Sequence, residues 1–448
     1  MTQGSPASLL LKFSLPLLVG NLFQQLYSLV DAVVVGRFVG ENELGGIGCT
    51  GYINYLVFSI GYGVSVSISI MVATMYGSGE KERLTKAIYN CAYVLLGISI
   101  FITIAGYLLT PAMLTLMQTP EKLYPHAVLY LRMMFLGSTG TLFYSGIAGV
   151  MRSFGDSRTP LLILFYACIL NIVLDLVFVL VLHMQVMGVA LATVIANLSS
   201  ALICYVMANK TLPLFRYRPG ALRIDKSLIK QCIRLGIPLA GQNIMIALSC
   251  IALQYVVNGF GEVIVTANTA VSKIENFVQQ PFNSLATALS AYTGQNLGAG
   301  KANRIKQGLS VGIRYVLVVS AVFVLLVFLA GEQLLSIFVV DPEIIRIGAI
   351  GLRITSLFYV FLGLLYVVRG VLNGAGDGLY SAINGVVELV CRFSFATPLT
   401  KIPFVGKWGV FLCSGLTWMV TGLVSLIRFL TAPPQKKKMA AKEQEGLP

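Results

Sequence analysis

The sequence predicts an all-α integral membrane protein of twelve transmembrane helices in two parallel six-helix repeats, and three observations lead there. Of its 448 residues 56% are hydrophobic and 11% charged, where a soluble globular chain carries about 25% charged residues. Apolar runs long enough to cross a ~30 Å hydrocarbon core recur from end to end. The second half also repeats the first, at an offset of 222 residues up to Val39 and 221 thereafter.

The expected spans are 13–38, 49–75, 88–109, 125–150, 160–182, 187–208, 235–257, 265–296, 311–331, 345–371, 379–400 and 408–430. In the first, Gln24, Tyr27 and Asp31 recur at i, i+3 and i+7, so a polar stripe runs down one face of an otherwise apolar helix. Asp31 lies seven residues before Phe38, roughly 10 Å inside the helix end, too deep for a short carboxylate to reach headgroups. Pro16 removes a backbone hydrogen bond from the same helix and marks a place where it can bend. The glycine turns that close spans two and four, YGSGEKER and SFGD, lack the spacing of a phosphate-cradling loop and are expected to be helix caps.

The fifth span carries NIVLD, which stacks Asn171 and Asp175 one turn apart. The sixth begins on the outer side near Met187, so Thr193 falls at the depth of Asp31 and Asp175. Two carboxylates in a low-dielectric pocket resist double ionisation, so the group is expected to share a proton or accept a sodium ion, with Asn171 and Thr193 as neutral oxygen donors. No other cofactor is expected. The eight cysteines are scattered without metal-ligand spacing, and His126 and His183 receive no role.

The repeat matches Pro16 with Pro238, Asn21 with Asn243, GSGEKER with GAGKANR, and FGD with AGD. Six spans per repeat give both halves the same orientation. The expected domains are an N-lobe over 1–208, a cytoplasmic linker over 209–234, a C-lobe over 235–430 and a basic tail over 431–448. In the C-lobe Leu253, Arg392 and Ala396 stand where the N-lobe has Asp31, Asn171 and Asp175, so the acid site is lost. Lys273, Glu275, Glu388 and Arg392 balance in charge and are expected to form a structural network. Tyr255, Asn276, Gln279 and Gln280 are expected to line a substrate cleft.

The net charge of +14 follows topology, since most Lys and Arg fall in the loops expected to be cytoplasmic. Both termini are therefore expected inside, and no nucleic-acid partner is expected. A membrane enzyme is not expected either, because the short loops hold no nucleophile or metal-ligand set.

With VDAVVVGRFVG, NIVLD and the duplicated glycine turns in view, the chain is identified as a member of the MATE (multidrug and toxin extrusion) family, most similar to its bacterial DinF-like branch. The resemblance covers Leu15 to about Leu430. It implies a V-shaped, MOP-type two-lobed bundle in the bacterial inner membrane that exports organic cations or amphipathic drugs in exchange for H+ or Na+. A lipid or lipid-linked oligosaccharide flippase is the alternative on the same superfold. It also implies that Asp31, Asn171, Asp175 and Thr193 form the coupling-cation site and that Pro16, Gln24 and Tyr27 lie near substrate. A small-molecule substrate, a lipid bilayer and a monomeric state complete the expectation. The sodium-coupled NorM-like pattern of acids in spans seven and ten is missing here.

Overall fold

The computed structural model describes residues 1–117, 119–215 and 222–431, without the side chains of 27–33, 36, 37, 41, 42, 44, 52 and 214. The tail over 431–448 lies, apart from Thr431, outside the described residues. Among the described residues the chain is helical from end to end and contains no strand.

The first repeat comprises α1 (Pro6–Val34), α2 (Glu41–Ser78), α3 (Lys81–Leu116), α4 (Tyr124–Leu136), α5 (Ser138–Ser153), α6 (Arg158–Leu176) and α7 (Gln185–Thr211). The second comprises α8 (Lys226–Asn258), α9 (Glu262–Gly298), α10 (Ala302–Ser336), α11 (Pro342–Ser356), α12 (Tyr359–Gly374), α13 (Gly378–Lys401) and α14 (Gly409–Thr431). Each expected span is present, but two are broken. The fourth bends by 47° between α4 and α5, and its repeat mate, the tenth, by 52° between α11 and α12. The apolar pattern runs straight through both bends, so hydropathy alone reads each as one rod.

Among the described residues nine helices are long and apolar enough to cross a membrane, and the two bent pairs raise the count to eleven. The remaining span is α9, 37 residues long, whose apolar character is diluted by Lys273, Glu275, Asn276, Gln279 and Gln280. Of its polar groups, Gln279 accepts from Tyr366 on α12, while Gln280 bonds within α9 and Lys273 and Asn276 are exposed.

The glycine turns cap helices in both repeats. Gly79 and Gly300 end α2 and α9 at φ of 79° and 70°, and Gly155 and Gly376 follow α5 and α12 at 95° and 73°. The aspartates of FGD and AGD cap the next helix: Asp156 accepts from the Arg158 and Thr159 amides, and Asp377 from the Tyr380 amide. Asp377 is also gripped by Arg428 at 3.0 Å.

The chain divides into two compact units, Val19–Ala240 and Met1–Leu18 with Gly241–Pro448. These bounds differ from a division at the 209–234 linker. Each repeat's first helix is cut two residues after its proline, Pro16 or Pro238, and the leading segment packs in the other repeat's unit. Leu228 and Cys232 of α8 are thus buried in the Val19–Ala240 core among Leu84, Cys91 and Met151. Leu10 and Phe13 of α1 are buried in the other core among Phe282, Leu289 and Tyr292. Apolar residues on these leading segments supply the burial that drives this exchange. Much of the expected linker is consequently helix. Its described non-helical part is held by Asn90, which donates to the Arg223 carbonyl and accepts from the Asp225 amide at 2.8 Å.

Candidate functional site

Within the Val19–Ala240 unit, α1 and α6 run side by side in one direction. Leu161 and Leu164 lie over Gly20, the Phe23 and Phe165 rings are 4.0 Å apart, and Val35 shares an apolar cluster with Val179 and Val189. The Gly20, Phe23 and Val35–Val179 pairings join positions 141–144 apart along α1, α6 and the turns that follow them. Continued along the helices, that register puts position 31 level with positions 172–175.

Asn171 and Asp175 on α6 are each 1% exposed. The Asn171 amide donates to the Thr193 hydroxyl at 3.3 Å, and that hydroxyl donates to the Val189 carbonyl at 3.0 Å. The structure therefore brings Asn171 and Thr193 together, with Asp175 one turn along. The Asp31 and Tyr27 side chains lie outside the described residues, although their backbone is part of α1. Both acid-bearing helices continue into a π-helical turn, Val35–Val39 after α1 and Val177–Val181 after α6. Such wide turns loosen backbone hydrogen bonding and are frequent at functional sites. No sequence signal pointed to them.

The second repeat shows what these positions do when apolar. Leu253 and Ala396, the mates of Asp31 and Asp175, are buried in one cluster with Val257 and Val410, the mates of Val35 and Val189. In the second half these positions are closed by aliphatic side chains, where the first half has Asn171 and Asp175 buried on α6.

One turn away the second unit carries its charges. Glu388 faces Arg369 at 3.4 Å and Arg392 at 3.7 Å, all three largely buried. Glu275 is buried nearby, beside Thr355 and with Arg392 as its neighbouring charge. The expected four-residue network is therefore revised. Lys273 is exposed and pairs with none of the described carboxylates, while Arg369 of α12, absent from the expected set, takes its place. The available signal was a lone arginine inside the apolar run YVVRGVL.

The remaining candidates are spread out. Pro16 is partly buried, Gln24 exposed, and Tyr255 exposed on α8. Asn276, Gln279 and Gln280 share a face of α9. Gln280 donates to the Asn276 carbonyl at 2.8 Å, and the Tyr366 hydroxyl donates to the Gln279 amide oxygen at 2.9 Å.

Comparison with known proteins returns one family model, MatE, matching twice, over residues 16–177 and 238–397. The chain is 27% identical over 431 residues to the probable multidrug resistance protein YpnP of Bacillus subtilis, covering 96% of each. It is 23% identical over 416 residues to DNA damage-inducible protein F of Escherichia coli, covering 92% of this chain and 89% of the relative. A solved structure described as the outward-facing conformation of a multidrug resistance MATE family transporter of the MOP superfamily matches with a TM-score of 0.89. That match has 22% identity and covers 99% of this chain and 98% of the other.

Proposed function

The chain belongs to the MatE family, and on that premise we propose that it is a secondary active antiporter, exporting organic cations or amphipathic drugs in exchange for H+ or Na+ by alternating access. It is a transporter and not an enzyme. A bacterial inner-membrane location with both termini cytoplasmic, and action as a monomer without a nucleic-acid partner, are part of the same reading.

One observation carries the coupling site: the repeat mates of Asp31 and Asp175 pack in a single cluster. Together with the α1–α6 register, this supports a cation site made of Asp31, Asn171, Asp175 and Thr193. Two carboxylates with an amide and a hydroxyl oxygen form an oxygen-only donor set, which suits a proton shared between the acids or a hard cation. Loading the cation cancels charge that the Val35, Val179 and Val189 cluster cannot solvate. The loaded and empty states therefore favour different surroundings, and that difference in free energy can drive a conformational exchange.

Pro16, Gln24, Tyr27, Tyr255, Asn276, Gln279 and Gln280 are proposed to contact substrate. Aromatic and amide side chains suit a flat amphipathic compound. The lipid or lipid-linked oligosaccharide flippase reading is not favoured by the family and relatives above. A pyrophosphate headgroup would also need a cationic site, and Glu388 already engages both Arg369 and Arg392.

The test is efflux of a fluorescent organic cation from proteoliposomes under a proton gradient and then a sodium gradient. Asp31→Asn and Asp175→Asn are each expected to abolish gradient-driven export while substrate still binds. The double variant should be no worse than either single, because residues that act as a unit are non-additive. Near-wild-type export by both single variants would remove the acid pair from the mechanism.

A further inference from the structure

Arg132 and Arg353 are repeat mates, 221 positions apart, and the duplication has kept both. Each lies in the leading helix of a bent span, α4 or α11, four or five residues before the break. Their surroundings set them apart from Arg369 and Arg392. Neither pairs with any described carboxylate, whereas Arg369 and Arg392 both face Glu388; the Nε of each, like those of Arg369 and Arg392, is buried without a hydrogen-bond partner. Arg132 lies over the Tyr107 ring, 4.6 Å from its centroid, which orients the guanidinium without neutralising it.

Exposed leucines lie near each arginine, flanking Arg132 on α4 and just past the end of α11 for Arg353. One turn to either side of Arg132, Leu129 and Leu136 are 39% and 52% exposed, and one turn beyond Arg353, Leu357 is 60% exposed. On a membrane protein such leucines face hydrocarbon. Arg132 is eight residues from the start of α4 and Arg353 eleven from the start of α11, about 12 and 16 Å along the helix. A guanidinium at that depth reaches back toward the interface along its own stem and needs an anion there. The anion available along a hydrocarbon-facing helix is a lipid phosphate, and the planar fork of arginine matches phosphate oxygens two at a time.

We propose that each unit carries a phospholipid site in which Arg132 or Arg353 holds the phosphodiester of the headgroup beside the bend of its span. The acyl chains would lie along the exposed leucines. The inference rests on the membrane reading above only for the presence of lipid, not on the coupling ion or substrate.

The experiment uses the full-length protein in a phosphate-free maltoside detergent, titrated with phosphatidylglycerol and read by native mass spectrometry and thermal melting. Wild type is expected to retain two tightly held lipids, Arg132→Gln and Arg353→Gln one each, and the double variant none, with affinity at each altered site weakened about tenfold or more. Diacylglycerol, which lacks the phosphate, should not substitute, nor should inorganic phosphate alone. Wild-type lipid retention by the double variant would overturn the proposal. So would equal stabilisation by diacylglycerol, and equal stabilisation by inorganic phosphate would assign the arginines to a free anion instead. If the glutamine variants do not fold, Arg132→Lys and Arg353→Lys keep the charge and lose the fork. They are expected to bind phosphatidylglycerol more weakly, and unchanged binding by both would equally overturn it.

Discussion

Replacing Glu388 by Gln keeps the side chain's shape and removes the charge that faces two buried guanidiniums. Glu388 is 5% exposed, 3.4 Å from Arg369 and 3.7 Å from Arg392. Breaking a buried ion pair by removing one partner costs ~3–5 kcal/mol, because the remaining charge stays uncompensated. The amide oxygen of Gln still accepts one hydrogen bond, so the lower end, about 3 kcal/mol, applies. For a unit of roughly 200 residues, 1 kcal/mol shifts the melting temperature by about 2–4 °C, giving a fall of about 6–12 °C. Adding Arg369→Gln to Glu388→Gln removes one stranded charge and should recover part of the loss, a coupling of at least about 1 kcal/mol. Thermal unfolding in detergent, followed by size exclusion, measures the stability. Efflux per folded molecule, measured in parallel, should change little. A Glu388→Gln protein that melts with wild type would refute the structural role, and one that melts with wild type yet does not transport would make Glu388 a coupling residue.

Gln185 adopts φ of 48°, and its repeat mate is Gly406 at 49°, so Gln185→Gly should stabilise by about 1 kcal/mol, read as a higher melting temperature; a lower one would mean the side chain contributes more than the backbone strain costs. A Cβ at Gly374 would overlap the Ser290 carbonyl oxygen on α9, so Gly374→Val should force α12 away and lower folded yield severely, whereas wild-type yield would contradict the close packing. Asp377→Asn keeps the cap but weakens the grip of Arg428, and a loss of about 1–3 kcal/mol is expected from the melting curve; no loss would show the pair to be fully solvated. A cysteine introduced at Lys226 should resist a membrane-impermeant maleimide added to intact cells, and labelling from outside would reverse the proposed orientation.

The sequence by itself determined the helical class, the positions of the spans, the duplication and the glycine caps. The physical reason is that bilayer thickness acts as a fixed ruler on an apolar run, and a helix end needs its cap locally. It also determined that Asn171 and Asp175 share a face, because i and i+4 stack on any helix. What it left open was the rotation and partnering of helices. Lys273 and Glu275 are two residues apart on α9, yet one is exposed and the other buried. Arg369 meets Glu388 only because α12 presents it there. The bends after α4 and α11, the π-helical turns beyond the two acid positions and the exchange of leading segments at Pro16 and Pro238 likewise depend on neighbours distant in sequence. A spacing along one helix states which residues share a face, but only packing against other helices decides what that face meets.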